Sequence, residues 1–180
     1  MDNIITLTNS PAESDHVERE IQGKFEIKAL GEPSMLLGMK ISCNTNTWQI
    51  TLSQTHYIDS LLKEFNLEDA NPVSPPLDPN VNLNGDELLE DDMHASNFYV
   101  MMIGSLMYAA LGTHPDIAYV THRLMQFTHH PNKKHWTAIK RIFQYLKGTR
   151  NYVLTYGGTH VKWTDEPNFY CHSDWASEAD

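Results

Sequence analysis

Residues 103–127, IGSLMYAALGTHPDIAYVTHRLMQF, and 135–149, HWTAIKRIFQYLKGT, decide the fold. The first stretch continues an apolar run over 97–111 that is hydrophobic nearly all round, which predicts a buried helix. A second helix begins at Thr113, with Pro115 in its first turn and Asp116 at the third helical position, and runs to about Phe127. His130-Pro131-Asn132 sets off a third, capped by Asn132 and ending at Gly148. On that helix, at about 100° per residue, Trp136, Ile139, Ile142, Phe143 and Leu146 share one arc. Lys133, Lys140 and Lys147 line the opposite side, with Arg141 at its edge.

Upstream, the opening MDNIITLT reads as a short strand. Ser10-Pro11-Ala12-Glu13 fits a capping box, in which Ser10 accepts from orphan amides and Glu13 reaches back. The helix that follows carries Val17 and Ile21 and stops at Gly23. Phe25 and Ile27 alternate with polar residues like a strand. MLLGMKISCNTNTWQITLSQ contains two β-rich runs around Asn44-Thr45-Asn46-Thr47, predicting a hairpin. Tyr57, Ile58, Leu61, Leu62 and Phe65 then recur at helical spacing. Prolines 72, 75, 76 and 79 and an acidic stretch mark residues 66–96 as a surface connector. After the third helix come a strand at 152–156, a turn at Gly157-Gly158, and another strand at 169–172. The expected fold class is α+β: a small antiparallel sheet or hairpin with helices over 1–65, a linker over 66–96, three helices over 97–150, and a short β segment over 151–180.

The charge distribution narrows the function. The 180 residues hold 13 Lys+Arg against 23 Asp+Glu, a net charge of −10, which argues against indiscriminate binding to nucleic acid or anionic membrane. No Lys or Arg lies between Lys63 and Arg123, whereas 133–150 holds six of the 13 basic residues and no acid. A charge row of one sign suits a phosphate backbone, although a solvated face is the commoner reading of such a pattern. No apolar run is long enough to span a membrane, and the N-terminus lacks a secretory pattern. Two cysteines, Cys43 and Cys171, read as small buried groups in a reducing, intracellular setting. His129, His130 and His135 lack carboxylate or thiol partners at metal-ligand spacing, which points to structural or surface roles. His114 and His122 are too loosely placed to define a site. The methionines at 93, 101, 102, 107 and 125 read as core.

Taken in order, FEIKALGEPSMLLGMKI, ITLSQTHYIDSLLKEFNL, IGSLMYAALGTHPDIAYVTHRLMQF and HWTAIKRIFQYLKGT resemble the polymerase region of copia-type LTR-retrotransposon polyproteins. The resemblance implies the end of a reverse transcriptase palm, a primer-gripping hairpin, and the thumb and connection. Leu37-Gly38-Met39 would form the primer-gripping turn. Lys133, Lys140, Arg141 and Lys147 would face a template–primer duplex or RNA–DNA hybrid. Met1-Asp2-Asn3 matches the last three positions of the family's Tyr-x-Asp-Asp turn, whose carboxylates hold two Mg²⁺ ions. Asp2 would be one carboxylate, and Asn3 replaces the other. Cys171-His172-Ser173-Asp174-Trp175-Ala176 resembles the start of the family's ribonuclease H domain, with Asp174 as a remnant of its metal site. A neutral amide is a poor Mg²⁺ ligand, so the expectation is a chain with no competent catalytic residue, no metal and no cofactor. Its partners would be nucleic acid and the rest of the polyprotein, with no membrane. One departure is His114, where the family usually has Arg.

Overall fold

The computed structural model describes residues 4–6, 8, 10–84 and 93–157. Helix α1 (Pro11–Gln22) starts at the predicted cap: Ser10 Oγ accepts from the Glu13 amide at 3.3 Å, and Pro11 occupies the first turn. No bond returns from the Glu13 side chain. The helix buries none of its residues, and Val17 and Ile21 are half-buried. Residues 4–6 form no strand, and neither do Phe25 and Ile27. Phe25 is 66% exposed; alternation alone cannot make a strand where no neighbouring chain completes the ladder.

The hairpin forms as expected. Among the described residues, four antiparallel strands lie in the order β1 (Met35–Leu36), β2 (Met39–Asn44), β3 (Gln49–Ser53) and β4 (Leu154–Gly157). Asn44 Oδ1 accepts from the amides of Asn46 and Thr47 at 3.0 and 3.2 Å, an Asx turn that reverses the chain between β2 and β3. Register places Lys40 opposite Ser53 and Ser42 opposite Thr51. One sheet face is therefore polar, and the other carries Met39, Ile41, Ile50 and Leu52. Cys43 shares that second face but is exposed rather than buried. Gly157 has φ +76°, and a Cβ there would lie 2.1 Å from the Trp48 carbonyl oxygen, so the close β3–β4 approach requires glycine.

The core lies among the helices α2 (Thr55–Glu64), α3 (Met93–Gly112), α4 (Ala118–Met125) and α5 (Lys133–Thr149), with a 3₁₀ turn (Pro115–Ile117) leading into α4. The predicted arc of α5 is its buried face: Ile139, Ile142, Phe143 and Leu146 are fully enclosed, and Trp136 packs at their edge. They meet Ile58 and Leu62 of α2 and Tyr99 and Leu106 of α3 in one cluster. Burying each large apolar side chain contributes about 1.5–3 kcal/mol. Phe65, just past α2, lies with its ring 5.0 Å from that of Phe143. Contrary to expectation, α3 is not buried all round and begins at Met93. Val100, Met101 and Leu111 are 49, 43 and 81% exposed on the side away from Tyr99 and Leu106. Met101 and Met125 are accordingly surface residues, whereas Met102 is core.

The proline-rich connector lies along α5. Lys147 Nζ donates to the Glu68 carbonyl, and Arg141 Nε donates to the Pro75 carbonyl at 3.1 Å. Gly148 lets Pro72 approach, since a Cβ there would sit 3.2 Å from the Pro72 Cβ. Farther on, Leu83 is buried, and His135 Nε2 donates to its carbonyl at 3.0 Å.

His135 also completes the cap of α5. Asn132 Oδ1 accepts from the amides of Lys134 and His135, and His135 Nδ1 accepts from the Asn132 amide. That pattern needs neutral imidazole, because a proton on Nδ1 would face a donor. Burial lowers the pKa of His135 from its ordinary value near 6.5; the Leu83 carbonyl opposes this shift, and Lys134 adds to it. The folded state thus binds this proton less readily than the unfolded chain does. The stabilisation is complete above about pH 6.5 and is lost as pH falls towards the lowered value. Urea midpoints should therefore fall below about pH 6.5, and the gap between wild type and His135→Gln should narrow there. A gap unchanged down to about pH 5 would contradict the neutral cap.

Candidate nucleic-acid interface

Leu36 pairs with Met39, so Leu37 and Gly38 alone make the turn between β1 and β2. Both lie in the left-handed region, at φ 49° and 73°. Glycine adopts this conformation freely, whereas a leucine there carries steric strain of about 1–2 kcal/mol. The strain is held from behind: the Tyr108 hydroxyl of α3 donates to the Leu37 carbonyl. Tyr57 of α2 packs edge-on against Tyr108, with ring centres 4.8 Å apart, and its own hydroxyl donates to the Ser105 carbonyl at 3.1 Å. Burial raises the pKa of the Tyr57 hydroxyl, although its bond to Ser105 opposes the shift. Two helices thus clamp the turn, while the Leu37 side chain stays 72% exposed. Replacing Leu37 by glycine should raise stability by about 0.5–1 kcal/mol, the relieved strain less the chain entropy glycine adds. A destabilised variant in urea titrations would contradict the strained-turn assignment.

The four basic residues that the sequence pattern singles out on α5 divide into two pairs. Lys133 and Lys140 are exposed. Arg141 and Lys147 are half-buried and donate to the connector carbonyls described above. The seven-residue spacing does align the three lysines on the helix, but their row flanks the apolar arc rather than opposing it, and Lys147, beside that arc, fastens the connector. Lys134, also exposed, extends the cationic end of the helix and was absent from the sequence-derived set.

His114 is buried at the junction of three helices. Its Nδ1 lies 2.8 Å from Thr113 Oγ1, and its Nε2 faces the Thr149 carbonyl at 3.4 Å. Thr113 Oγ1 donates to Gln54 Oε1 at 2.9 Å, while Gln54 Nε2 donates to the Tyr108 carbonyl at 3.4 Å. The side chain thus joins the ends of α3 and α5 to the start of α2, and through Tyr108 to the turn at Leu37. His129 and His130 are exposed.

A cleft of about 320 Å³ opens beside the polar sheet face. It is lined by Lys40 and Ser42 of β2, Thr51 and Ser53 of β3, Thr55 and His56 of α2, and Asn151 and Val153 before β4. The alternation K-I-S and T-L-S was the signal for it, but only the register places Lys40 opposite Ser53.

Asp2, Asn3, Cys171, Asp174, Gly158, the acidic run at 86–92 and the strand expected at 169–172 lie outside the described residues. Among the described residues, no three His, Cys, Asp or Glu side chains group at metal-binding distances. Nor is any helix there long and apolar enough to cross a membrane.

The family model for reverse transcriptase (RNA-dependent DNA polymerase) matches residues 1–79. The chain is 37% identical over 144 residues to the retrovirus-related Pol polyprotein from transposon TNT 1-94 of Nicotiana tabacum, covering 78% of this chain and 11% of that protein. It is 32% identical to the retrovirus-related Pol polyprotein from transposon RE1 of Arabidopsis thaliana, over 100% of this chain and 12% of the relative. It is also 29% identical to the uncharacterized mitochondrial protein AtMg00810 of Arabidopsis thaliana, covering 98% of this chain and 70% of that protein. No solved structure matches. The chain is a reverse transcriptase-like region of a copia-type transposon polyprotein. It spans about an eighth of the length of the two Pol polyproteins it matches.

Proposed function

We propose that this chain holds a template–primer duplex or RNA–DNA hybrid without polymerising DNA or cleaving RNA. The observation that carries this reading is the Leu37–Gly38 turn, a strained backbone with an exposed apolar side chain, locked from behind by Tyr108. Strain persists where the surroundings over-determine it, and a surface shaped to meet a ligand gives it a use. Lys133 and Lys140 add exposed cations on α5 for the phosphate backbone.

The donor chemistry does not fit the two Mg²⁺ ions of the family. Asn3 offers a neutral amide, a poor Mg²⁺ ligand, where a second carboxylate belongs. With a primed RNA template, deoxynucleotides and Mg²⁺, the chain should bind the duplex and extend no primer. Primer extension would overturn the inactivity, and absence of binding at low salt would overturn the holding role. Leu37→Gly should separate the two properties of the turn, weakening duplex binding while raising stability.

A further inference from the structure

We propose that the cleft between the sheet and the start of α2 binds a phosphate group, which on a nucleic-acid partner would be a backbone phosphodiester. Only the identity of that carrier rests on the nucleic-acid reading; the site itself rests on its lining. Lys40 and His56 supply cationic and donor groups, and Ser42 and Asn151 supply further polar atoms. No carboxylate lines the cleft. The acid one turn along α2, Asp59, is already paired with Arg150 at 3.0 Å. Lys40 is the one Lys, Arg, Asp or Glu among the lining residues, so the cleft favours an anion.

The helix start adds to the lining. The N-cap residue of α2, Gln54, makes no capping bond, because its amide is committed to Tyr108 and Thr113. The Thr55 amide donates to Ser53 Oγ at 3.3 Å and the Thr55 hydroxyl to the Arg150 carbonyl at 3.0 Å, so at the positive end of α2 it is His56 that adds to the donors of the cleft. A tetrahedral anion satisfies several such donors at once, with Lys40 as the charge partner. The lining is largely exposed, as suits a phosphate carried on a strand passing over the surface.

The test is an amide NMR titration of the full chain, first with inorganic phosphate against chloride at equal ionic strength, then with an RNA–DNA hybrid. Both phosphate and hybrid should shift the amides of Lys40, Ser42 and residues 53–57. Lys40→Gln, at an exposed position, should abolish the phosphate response and weaken hybrid binding about three- to fivefold. It should also reduce the salt slope by about one. If phosphate shifts these amides but the hybrid does not bind, the site stands as one for free phosphate and the nucleic-acid reading fails. If the hybrid binds with shifts elsewhere, and Lys40→Gln binds like wild type, the cleft proposal is overturned while the nucleic-acid reading stands. Silence from both ligands overturns both.

Discussion

Phe143→Ala is expected to lower the unfolding free energy by about 3–5 kcal/mol, read from urea midpoints at unchanged slope. Phe143 is fully buried at the point where α5 meets α2, and its ring lies 5.0 Å from that of Phe65. Truncation removes the transfer energy of the ring and leaves a cavity that rigid helices on several sides cannot close. Against a typical domain stability of about 5–15 kcal/mol, this would be a large share of the total. Leu111→Ala is the matched control, since Leu111 is 81% exposed and its loss should change stability by no more than about 0.5 kcal/mol. Similar costs for the two substitutions would contradict the placement of the core.

Gly112→Ala should cost about 2–3 kcal/mol, although helix propensity alone predicts a gain of about 1 kcal/mol for alanine over glycine. Gly112 is the last residue of α3, and a Cβ there would lie 2.5 Å from both terminal atoms of Gln54. Gln54 is 1% exposed and bonded to Tyr108 and Thr113, so it cannot swing aside without leaving buried polar groups unpaired. A double-mutant cycle isolates this cause. In a Gln54→Ala background the added alanine should cost less than about 1 kcal/mol, because the obstructing amide is gone. An equal penalty in both backgrounds would mean that the buried Gln54–Thr113–His114 junction is not what excludes the methyl group.

The helical period of α2 and α5 was legible because each presents one apolar face to the core, and period reports a single face well. Asn132 and Ser10 announced their helix starts, and the Asn44 turn announced the hairpin, because these depend on local hydrogen bonds. On α3 the same reasoning failed: apolar residues all round cannot say which side the core takes, and Val100 and Leu111 were left outside. Phe25 and Ile27 alternate correctly but found no partner strand. The division of the α5 cations was hidden for another reason. Arg141 and Lys147 donate to backbone carbonyls of Pro75 and Glu68, and every residue carries a carbonyl, so no residue type betrays such a bond. Likewise Lys40 and Ser53 become neighbours only through strand register, and His114 gains its buried partners only when three helix ends converge.

On the proposed function, the exposed cations of α5 and the clamped turn together hold a duplex. The most direct measurement is the salt dependence of RNA–DNA hybrid affinity, by fluorescence anisotropy, for the full chain and for a Lys133→Glu, Lys140→Glu double variant. Both side chains are exposed and neither fastens the connector, so the variant should keep its fold. Wild-type affinity should fall roughly tenfold between about 50 and 200 mM salt, and the double variant should bind more weakly with a shallower slope. Equal affinity and equal slope in the two proteins, or no hybrid binding at the lower salt, would contradict the duplex-holding role.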